Sequence, residues 1–182
     1  MHERRVFVDL TDGFAAERGG EVVISAEDSH HIRTVLRLSE GAAITAVCRI
    51  TGQEYEAVIS ELQAQVKIKI VGRLRPQRSP SPVLTIAVAL LKGDQNDLAC
   101  DQLTQFGVKR IIFWQAQRSV ARLKSADDQA RKTERWKRIC EASAKQSGQS
   151  HIPEVEFASG VGQLIQRFDA LSAPQDNRFF CS

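Results

Sequence analysis

The sequence has few cysteines and no long apolar run. Both features argue against a secreted, disulfide-bonded or membrane-spanning protein. The four cysteines, Cys48, Cys100, Cys140 and Cys181, are scattered and form no C-x-x-C pair. This favours a reducing compartment in which thiols serve as small apolar side chains. The longest apolar run, residues 83–91, is half the roughly 18 residues of a membrane span, and no apolar stretch of a secretory signal follows the N-terminus. We expect a cytoplasmic protein without a membrane segment.

Positive charge is concentrated in one part of the chain. The formal net charge is only +3, and residues 1–75 hold 10 basic and 11 acidic side chains. Residues 109–145 instead hold 11 basic and 4 acidic side chains. Such a local excess indicates a polyanionic partner, although a solvated basic helix is the simpler alternative.

The first 75 residues are typical of a small β-rich unit. Apolar and polar residues alternate in short runs, and Thr51-Gly52 between two of them is a hairpin signal. The predicted strands cover residues 5–10, 21–24, 43–50, 54–59 and 66–70. Several short strands with one helix predict a small barrel, a shape that often binds nucleic acids.

The one helix of this unit contains the conspicuous pair His30-His31. Ser25 and Asp28 have capping-box spacing, so a helix should begin near residue 26. Helical phase predicts that Ile32, Val35 and Leu36 are buried and that His30, Arg33 and Arg37 share a neighbouring face.

The histidine pair has three possible roles. Adjacent helical residues point about 100° apart, and no further ligands lie nearby in sequence, so a shared metal ion is disfavoured. A structural role and an RNA contact remain open, and the sequence does not decide which histidine would make that contact.

The pattern changes after residues 73–82, a proline- and arginine-rich stretch that predicts a linker. The run 83–91 predicts a strand buried on both faces. A helix capped by Asp94 and Asp97 and ended by Gly107 should follow, then a strand at 110–114. A further helix should run from the capping box of Ser125 to Gly148, with another over residues 160–168. Strands alternating with helices predict a parallel α/β sheet, giving two domains, 1–75 and 76–182.

No familiar catalytic motif is present. The sequence has no G-x-S-x-G, Walker or H-E-x-x-H motif, and GVGQ at 160–163 lacks the third glycine of a dinucleotide loop. Asp94, Asp97 and Asp101 could form a carboxylate cluster, but negative charge in a first helical turn is better explained by capping. We therefore assign no residue as general base and leave the catalytic residue unknown.

Basic side chains follow both predicted strands of the α/β part. Lys92 comes after the first, and Arg118 and Arg122 come after the second. Ligands of parallel sheets gather at the carboxyl ends of the strands, so these cations should converge and suit phosphates. Lys145, Gln146 and Gln149 at the end of the long helix extend the set. Simple loop solubility is the alternative for any one of them.

Together these blocks resemble the RsmE family of the SPOUT methyltransferase superfamily. The resemblance rests on HHIRTVLRLSEG, LLKGDQNDLACDQLTQFGVKRIIFW, QRSV and ERWKRICEASAKQSGQSHIPEV, in this order over essentially the whole chain. It implies a PUA-like N-terminal β-barrel that binds RNA, followed by a SPOUT-type α/β knot domain that binds S-adenosylmethionine and forms a homodimer. The implied reaction is methylation of N3 of uridine 1498 in 16S ribosomal RNA of the small ribosomal subunit.

The chain departs from the family pattern in two ways. Gln102 and Gln105 stand where the family has a lysine and a glutamate, and Gln149 stands where it has an arginine. The glycine-rich G-P-E-G-G loop that holds the methyl donor is not among the 182 residues. We expect this loop to lie beyond Ser182. The 182 residues should then be a fragment that is inactive alone and contains no cofactor-binding residue.

Catalysis in the complete protein should come from aligning the methyl group with an unstacked base, without a metal. The alternative is a non-catalytic RNA-binding module or a diverged paralogue that acts on another RNA. The predicted RNA contacts are His31, Arg33, Arg37, Lys92, Arg118, Arg122, Lys145 and Gln149.

Overall fold

The computed structural model describes residues 4–10, 19–73 and 83–171, which form two packed units. The first unit is a five-stranded sheet with the strand order β1-β3-β4-β5-β2, in which β1 runs parallel to β3 and the other pairs are antiparallel. Its elements are β1 (Arg5–Val8), β2 (Glu21–Val23), α1 (Ala26–Thr34), β3 (Ala43–Cys48), β4 (Glu54–Leu62) and β5 (Val66–Arg73).

This sheet curls around an apolar core that α1 closes. Ile32 is buried against strand residues such as Ile44 and Ile68. The Ser29 hydroxyl accepts a hydrogen bond from the Val66 amide at 3.0 Å, which ties α1 to β5. The β-rich first unit and the parallel α/β arrangement of the second confirm the predicted fold class.

Helix α1 starts as predicted but ends earlier. Ser25 accepts a hydrogen bond from the Asp28 amide, as a capping box requires. The helix stops at Thr34 because the Leu38 amide turns back to the Ile32 carbonyl, at 3.1 Å, and Arg37 takes a left-handed φ of 48°. The predicted phase is therefore wrong beyond Thr34: Val35 is exposed, and Arg37 does not continue the face of His30 and Arg33.

The second unit is a three-stranded parallel sheet with the order β6-β7-β8. Its elements are β6 (Thr85–Ala89), α2 (Gln95–Gln105), β7 (Arg110–Trp114), α3 (Ala126–Ser147), β8 (Glu154–Ala158) and α4 (Val161–Leu171). The predicted caps of α3 are confirmed, since Ser125 accepts from the Asp128 amide and Gly148 ends the helix with a φ of 73°. Trp136, Cys140 and Ser143 lie buried along this helix.

Two strand predictions need correction. The strand buried on both faces is β7, whose Ile111, Ile112 and Phe113 are fully buried, because β7 is central and β6 lies at an edge in the described residues. Strand β8 was not predicted, although Val155 and Phe157 alternate with two glutamates. Most of the predicted linker, at 74–82, lies outside the described residues.

The aspartates of α2 have separate roles rather than a common capping role. Asp94 occupies the N-cap position but makes no side-chain cap hydrogen bond. Asp97 instead pairs with Arg135 of α3 at 2.6 Å, and Asp101 accepts from Gln105 at 3.0 Å. Side-chain capping by Asp94 is therefore wrong, whereas the predicted negative charge in the first turn is confirmed at Asp97.

Candidate nucleic-acid interface

The carboxyl ends of β6, β7 and β8 meet at one edge of the parallel sheet. The register pairs Ala89 with Trp114, and Trp114 with Ala158, so the three strands end level with one another. The next amides continue this pairing, with Leu90 donating to Trp114 and Gln115 donating to Ala158. The loops that leave this edge are where open parallel sheets bind their ligands.

Lys92 projects from the short loop between β6 and α2. The buried Asn96 side chain accepts from the Leu91 amide at 3.0 Å and donates to the Leu91 carbonyl at 2.9 Å, which closes the loop. Gly93 completes the turn with a φ of 65°. A rigid support thus carries an exposed lysine. Sequence reasoning missed Asn96, because its hydrogen bonds to Leu91 become visible only in the folded loop.

Arg118 and Arg122 project from the next loop, between β7 and α3. The Gln115 side chain spans this loop, donating to the Ala121 carbonyl at 3.3 Å and accepting from the Leu123 amide at 3.4 Å. Arg122 also donates to the Gln117 carbonyl at 3.4 Å, and Arg118 is exposed. Gln115 was also missed, although its place directly after a strand was the available signal.

The structure thus places Lys92, Arg118 and Arg122 on two neighbouring loops of the same edge. In the described part of the chain, none of the three has a carboxylate within ion-pair distance, whereas Arg110, Arg131, Arg135 and Arg138 all do. Unpaired exposed cations on rigid loops suit the phosphate groups of a nucleic acid. That these residues contact RNA stays a prediction.

The predicted contacts of the first unit lie on and after α1. His31 and Arg33 are exposed on the helix, and Arg37 is exposed beyond its end. The Arg33 side chain donates to the Ser29 carbonyl at 3.3 Å. Among the described residues, no three metal-ligating side chains cluster, around His30-His31 or elsewhere.

Lys145 and Gln149 lie away from the sheet edge. The Lys145 ammonium lies between two carboxylates, 2.7 Å from Asp28 of α1 and 3.0 Å from Glu141 of its own helix. Gln149 donates to the Gln105 carbonyl at 2.8 Å. The predicted set of RNA contacts therefore divides into three locations: the sheet edge, α1 and the junction between the two units.

The residues that depart from the family pattern come together at one point. Gln149 bonds to the backbone of Gln105, and Gln102 lies one turn earlier on the same helix. Phe106, next to them, is 80% exposed, an unusual position for an aromatic side chain. Positions 44 residues apart thus form one patch of glutamines beside the Asp101 carboxylate, which the sequence alone did not reveal.

The junction around Lys145 is held by charge. Burial raises the pKa of Glu141, but hydrogen bonds from Arg49 and Lys145 outweigh it and leave that pKa below its ordinary value. Burial likewise lowers the pKa of Lys145, but Asp28 and Glu141 leave it above the ordinary value. Both side chains are therefore charged at neutral pH.

The stability of the junction should depend on pH in two windows. A depressed carboxyl pKa stabilises the fold above the unfolded value of about 4.3 and is lost as the pH falls through the folded value. A raised lysine pKa stabilises it below about 10.4 and is lost as the pH rises further. The hydrogen bond to Glu141 raises the pKa of Arg49 above its ordinary value, so this side chain stays charged between these limits. Urea titrations from pH 3 to 11 should show a plateau, and Glu141→Gln should flatten its acid limb; an unchanged acid limb would contradict the assignment.

The sequence of this chain matches models of RNA methyltransferase families. A family model described as an RNA methyltransferase domain matches residues 77–181, and one described as an RNA methyltransferase PUA domain matches residues 24–69. The ribosomal RNA small subunit methyltransferase E of Bacillus subtilis is 30% identical over 167 residues. That match covers 90% of this chain and 63% of the relative, so the chain spans less than two thirds of the relative's length.

Solved structures share the fold. A crystal structure described as a hypothetical protein has a TM-score of 0.80 at 29% identity, covering 91% of this chain and 67% of its own. The ribosomal RNA small subunit methyltransferase E of Neisseria gonorrhoeae, bound to S-adenosyl methionine, has a TM-score of 0.76 at 21% identity. This match covers 96% of the present chain and 67% of the Neisseria chain. No helix of the described residues could cross a membrane. Because the RNA methyltransferase domain model matches more than half of its length, the chain belongs to the family of RNA methyltransferase domains, in agreement with the resemblance found in the sequence.

Proposed function

We propose that the protein containing this chain transfers a methyl group from S-adenosylmethionine to N3 of a uridine in small-subunit ribosomal RNA, at the position of uridine 1498. The observation that best supports this proposal is the cationic edge of the parallel sheet. There Lys92, Arg118 and Arg122 have no acidic partner among the described residues. The Bacillus subtilis relative is named for activity on this class of RNA. Because the chain spans only part of that relative, the activity of the whole protein remains a proposal.

The described edge residues fit RNA better than the cofactor. S-adenosylmethionine supplies an activated methyl group on a positively charged sulfonium. Three exposed cations repel such a charge and attract phosphate oxygens, so we assign them to the RNA backbone. We derive no step through the cofactor from these residues.

The role of this chain is then to bind and position the substrate. A uridine must leave its stacked environment before its N3 can be reached. Phosphates held on both sides of it would fix the base in the orientation that methyl transfer requires, which lowers the entropic part of the barrier. The homodimer implied by the resemblance also stays a prediction, which light scattering of the natural-length protein can test.

Methylation of small ribosomal subunits lacking the modification tests this function. Incubation of the natural-length protein with these subunits and S-adenosylmethionine is expected to yield N3-methyluridine, identified by nuclease digestion and mass spectrometry. A folded protein that binds the subunits without transfer would support the non-catalytic RNA-binding module instead. Methyl groups on another base would reject the N3 assignment.

One observation favours a second candidate, a diverged paralogue acting on another RNA. Gln102, Gln105 and Gln149, all neutral where the family is charged, lie together beside the exposed Phe106. Independent drift would scatter such changes, whereas a changed substrate contact would collect them at one surface.

Restoring the family's charges should shift substrate preference if this patch determines it. The variant Gln102→Lys/Gln105→Glu/Gln149→Arg is expected to gain about tenfold, or ~1.4 kcal/mol, in transfer to the ribosomal uridine. Gln166→Lys, exposed on α4, adds the same net charge elsewhere and is the control. Equal rates for both variants and the unmodified protein, in single-turnover assays, would show that the patch has no part in choosing the substrate.

A further inference from the structure

The two units share a small apolar cluster at their junction. Phe7 of β1 and Val47 of β3 pack with Ala144 of α3, and all three are buried. Ile152, after α3, packs against them and is half-buried. The junction is therefore a continuous piece of core and not a loose contact between surfaces.

A chain of alternating charges surrounds this cluster and crosses between the units. Asp28 of α1 pairs with Lys145 of α3, and Lys145 also pairs with Glu141, one turn earlier. Glu141 accepts two hydrogen bonds from Arg49 of the first unit, at 2.7 and 3.1 Å. Arg49 also forms an ion pair with Asp9 of the same unit, at 3.4 Å. Acidic and basic groups thus alternate over five side chains. We call this series the junction ion chain.

Burial makes the junction ion chain sensitive to geometry. The Asp28 side chain is 7% exposed and that of Lys145 is 24% exposed, so both have lost most of their water. A partly buried charge without its partner is costly, and such pairs are best known for selecting one arrangement over others. Any rotation of one unit against the other would separate these partners and leave several charges unpaired.

A close backbone approach limits the same junction sterically. Gly52, in the β3–β4 turn, has a φ of 70°, and a Cβ there would lie 2.7 Å from the Ser150 carbonyl oxygen. The Ser150 hydroxyl in turn donates to Glu54, the buried partner of Arg5. The absence of a side chain at position 52 is thus what allows the units to meet at this distance.

We propose that the junction ion chain and the Gly52–Ser150 contact lock the two units in one orientation, so that α1 and the carboxyl edge of the parallel sheet meet the RNA as one rigid surface. Asp28 lies two residues before His30, so the pair that fixes the junction also fixes the exposed side of α1. Lys145 and Glu141 are then positioning residues rather than RNA contacts. The fixed orientation of the two units is inferred from the contacts at their junction alone. Its role in RNA binding rests on the proposed function.

Distance distributions between two spin labels test the lock without RNA. Ser39→Cys in the first unit and Ala130→Cys on α3 provide exposed labelling sites. Cys181→Ser removes the thiol outside the described residues, and the other three cysteines are buried. Pulsed electron resonance of the natural-length protein is expected to give one narrow distribution.

Gly52→Ala tests the steric contact against a matched control. Gly41→Ala places the same methyl group at a similar φ of 79°, but no neighbouring atom of the described segments lies within 4 Å of it. Both variants carry the backbone cost of a side chain at positive φ, and only Gly52→Ala forces the units apart. The distance distribution between the two spin labels should shift and broaden in Gly52→Ala. In Gly41→Ala it should match that of the unmodified protein.

Glu141→Gln tests the junction ion chain and keeps the side-chain volume. Its control is Glu134→Gln, which removes an exposed pair with Arg138 on the same helix. Only Glu141→Gln should broaden the distribution, with unchanged far-ultraviolet circular dichroism. If either test variant matches its control, the proposal is overturned. If Gly52→Ala does not fold, the Glu141→Gln comparison decides alone.

RNA binding separates failure of the lock from failure of the function. A fragment of small-subunit ribosomal RNA that contains the target uridine is expected to bind Glu141→Gln about tenfold more weakly than Glu134→Gln. Broadened distances with equal affinities would retain the lock and refute its role in RNA recognition. No binding by the unmodified protein would reject the proposed function and leave the distance result valid.

Discussion

Replacing Lys92, Arg118 and Arg122 together by methionine is expected to weaken RNA binding on the order of a hundredfold at low salt. Each side chain is an exposed cation at the carboxyl edge of the parallel sheet, and two rigid loops present them. A cation that neutralises a phosphate releases counterions, so its loss reduces both the affinity and its salt dependence. Methionine keeps a long unbranched side chain and removes the charge.

The salt dependence is the more diagnostic measurement. Three lost contacts to single-stranded RNA should reduce the slope of log affinity against log salt by about 2. The control is Arg131→Met/Lys137→Met/Arg138→Met, which removes the same charge from the exposed face of α3. Fluorescence anisotropy at several salt concentrations gives both quantities. Equal losses in the two triple variants would mean that the general basic excess, and not the sheet edge, attracts the RNA.

Trp136→Ala is expected to lower the free energy of unfolding by about 3–5 kcal/mol. Trp136 is 1% exposed, and its ring centroid lies 4.2 Å from that of Phe113 on the central strand. Truncation would leave a cavity between α3 and the sheet that surrounding side chains can fill only in part. The lost stability includes the buried area of a large ring and its contacts with Phe113.

Two further variants make the Trp136 measurement specific. Trp136→Phe should cost less than the alanine variant, because it keeps a ring and removes an indole nitrogen that is buried without a hydrogen-bond partner among the described residues. Phe106→Ala, at a large but exposed aromatic, should change stability by less than about 0.5 kcal/mol. Urea unfolding followed by circular dichroism measures all three. A loss below about 1 kcal/mol in Trp136→Ala would contradict the packing of α3 on the sheet.

Local signals were sufficient for much of the fold. Ser25 and Ser125 begin their helices because each side chain satisfies an amide three residues away, an interaction visible within one turn of sequence. Gly107 and Gly148 follow helix ends at positive φ, which other residues rarely adopt. The central strand, at 110–114, was found with its observed bounds because its apolar run is continuous.

Predictions failed where a distant partner decided the outcome. Strand β8 has only five residues, and its alternating pattern was too short to predict a strand. It is a strand because it pairs with β7. Helix α1 ends at Thr34 because its chain turns back toward Ile32, so the continued helical phase misplaced Val35 and Arg37. The order of the strands, which puts β7 and not β6 in the centre, is likewise a property of the whole sheet.

The sequence by itself determined the two kinds of unit, most of their elements and the basic residues that follow the strands, because each depends on neighbours within a few positions. Only the tertiary structure decided which cations are available. Lys92, Arg118 and Arg122 stand exposed at one edge, whereas Lys145 is held by Asp28, 117 positions away in the chain. The periodicity of the sequence does not indicate a contact over that distance. A lysine that binds a phosphate and a lysine paired with a buried carboxylate cannot be distinguished by sequence alone.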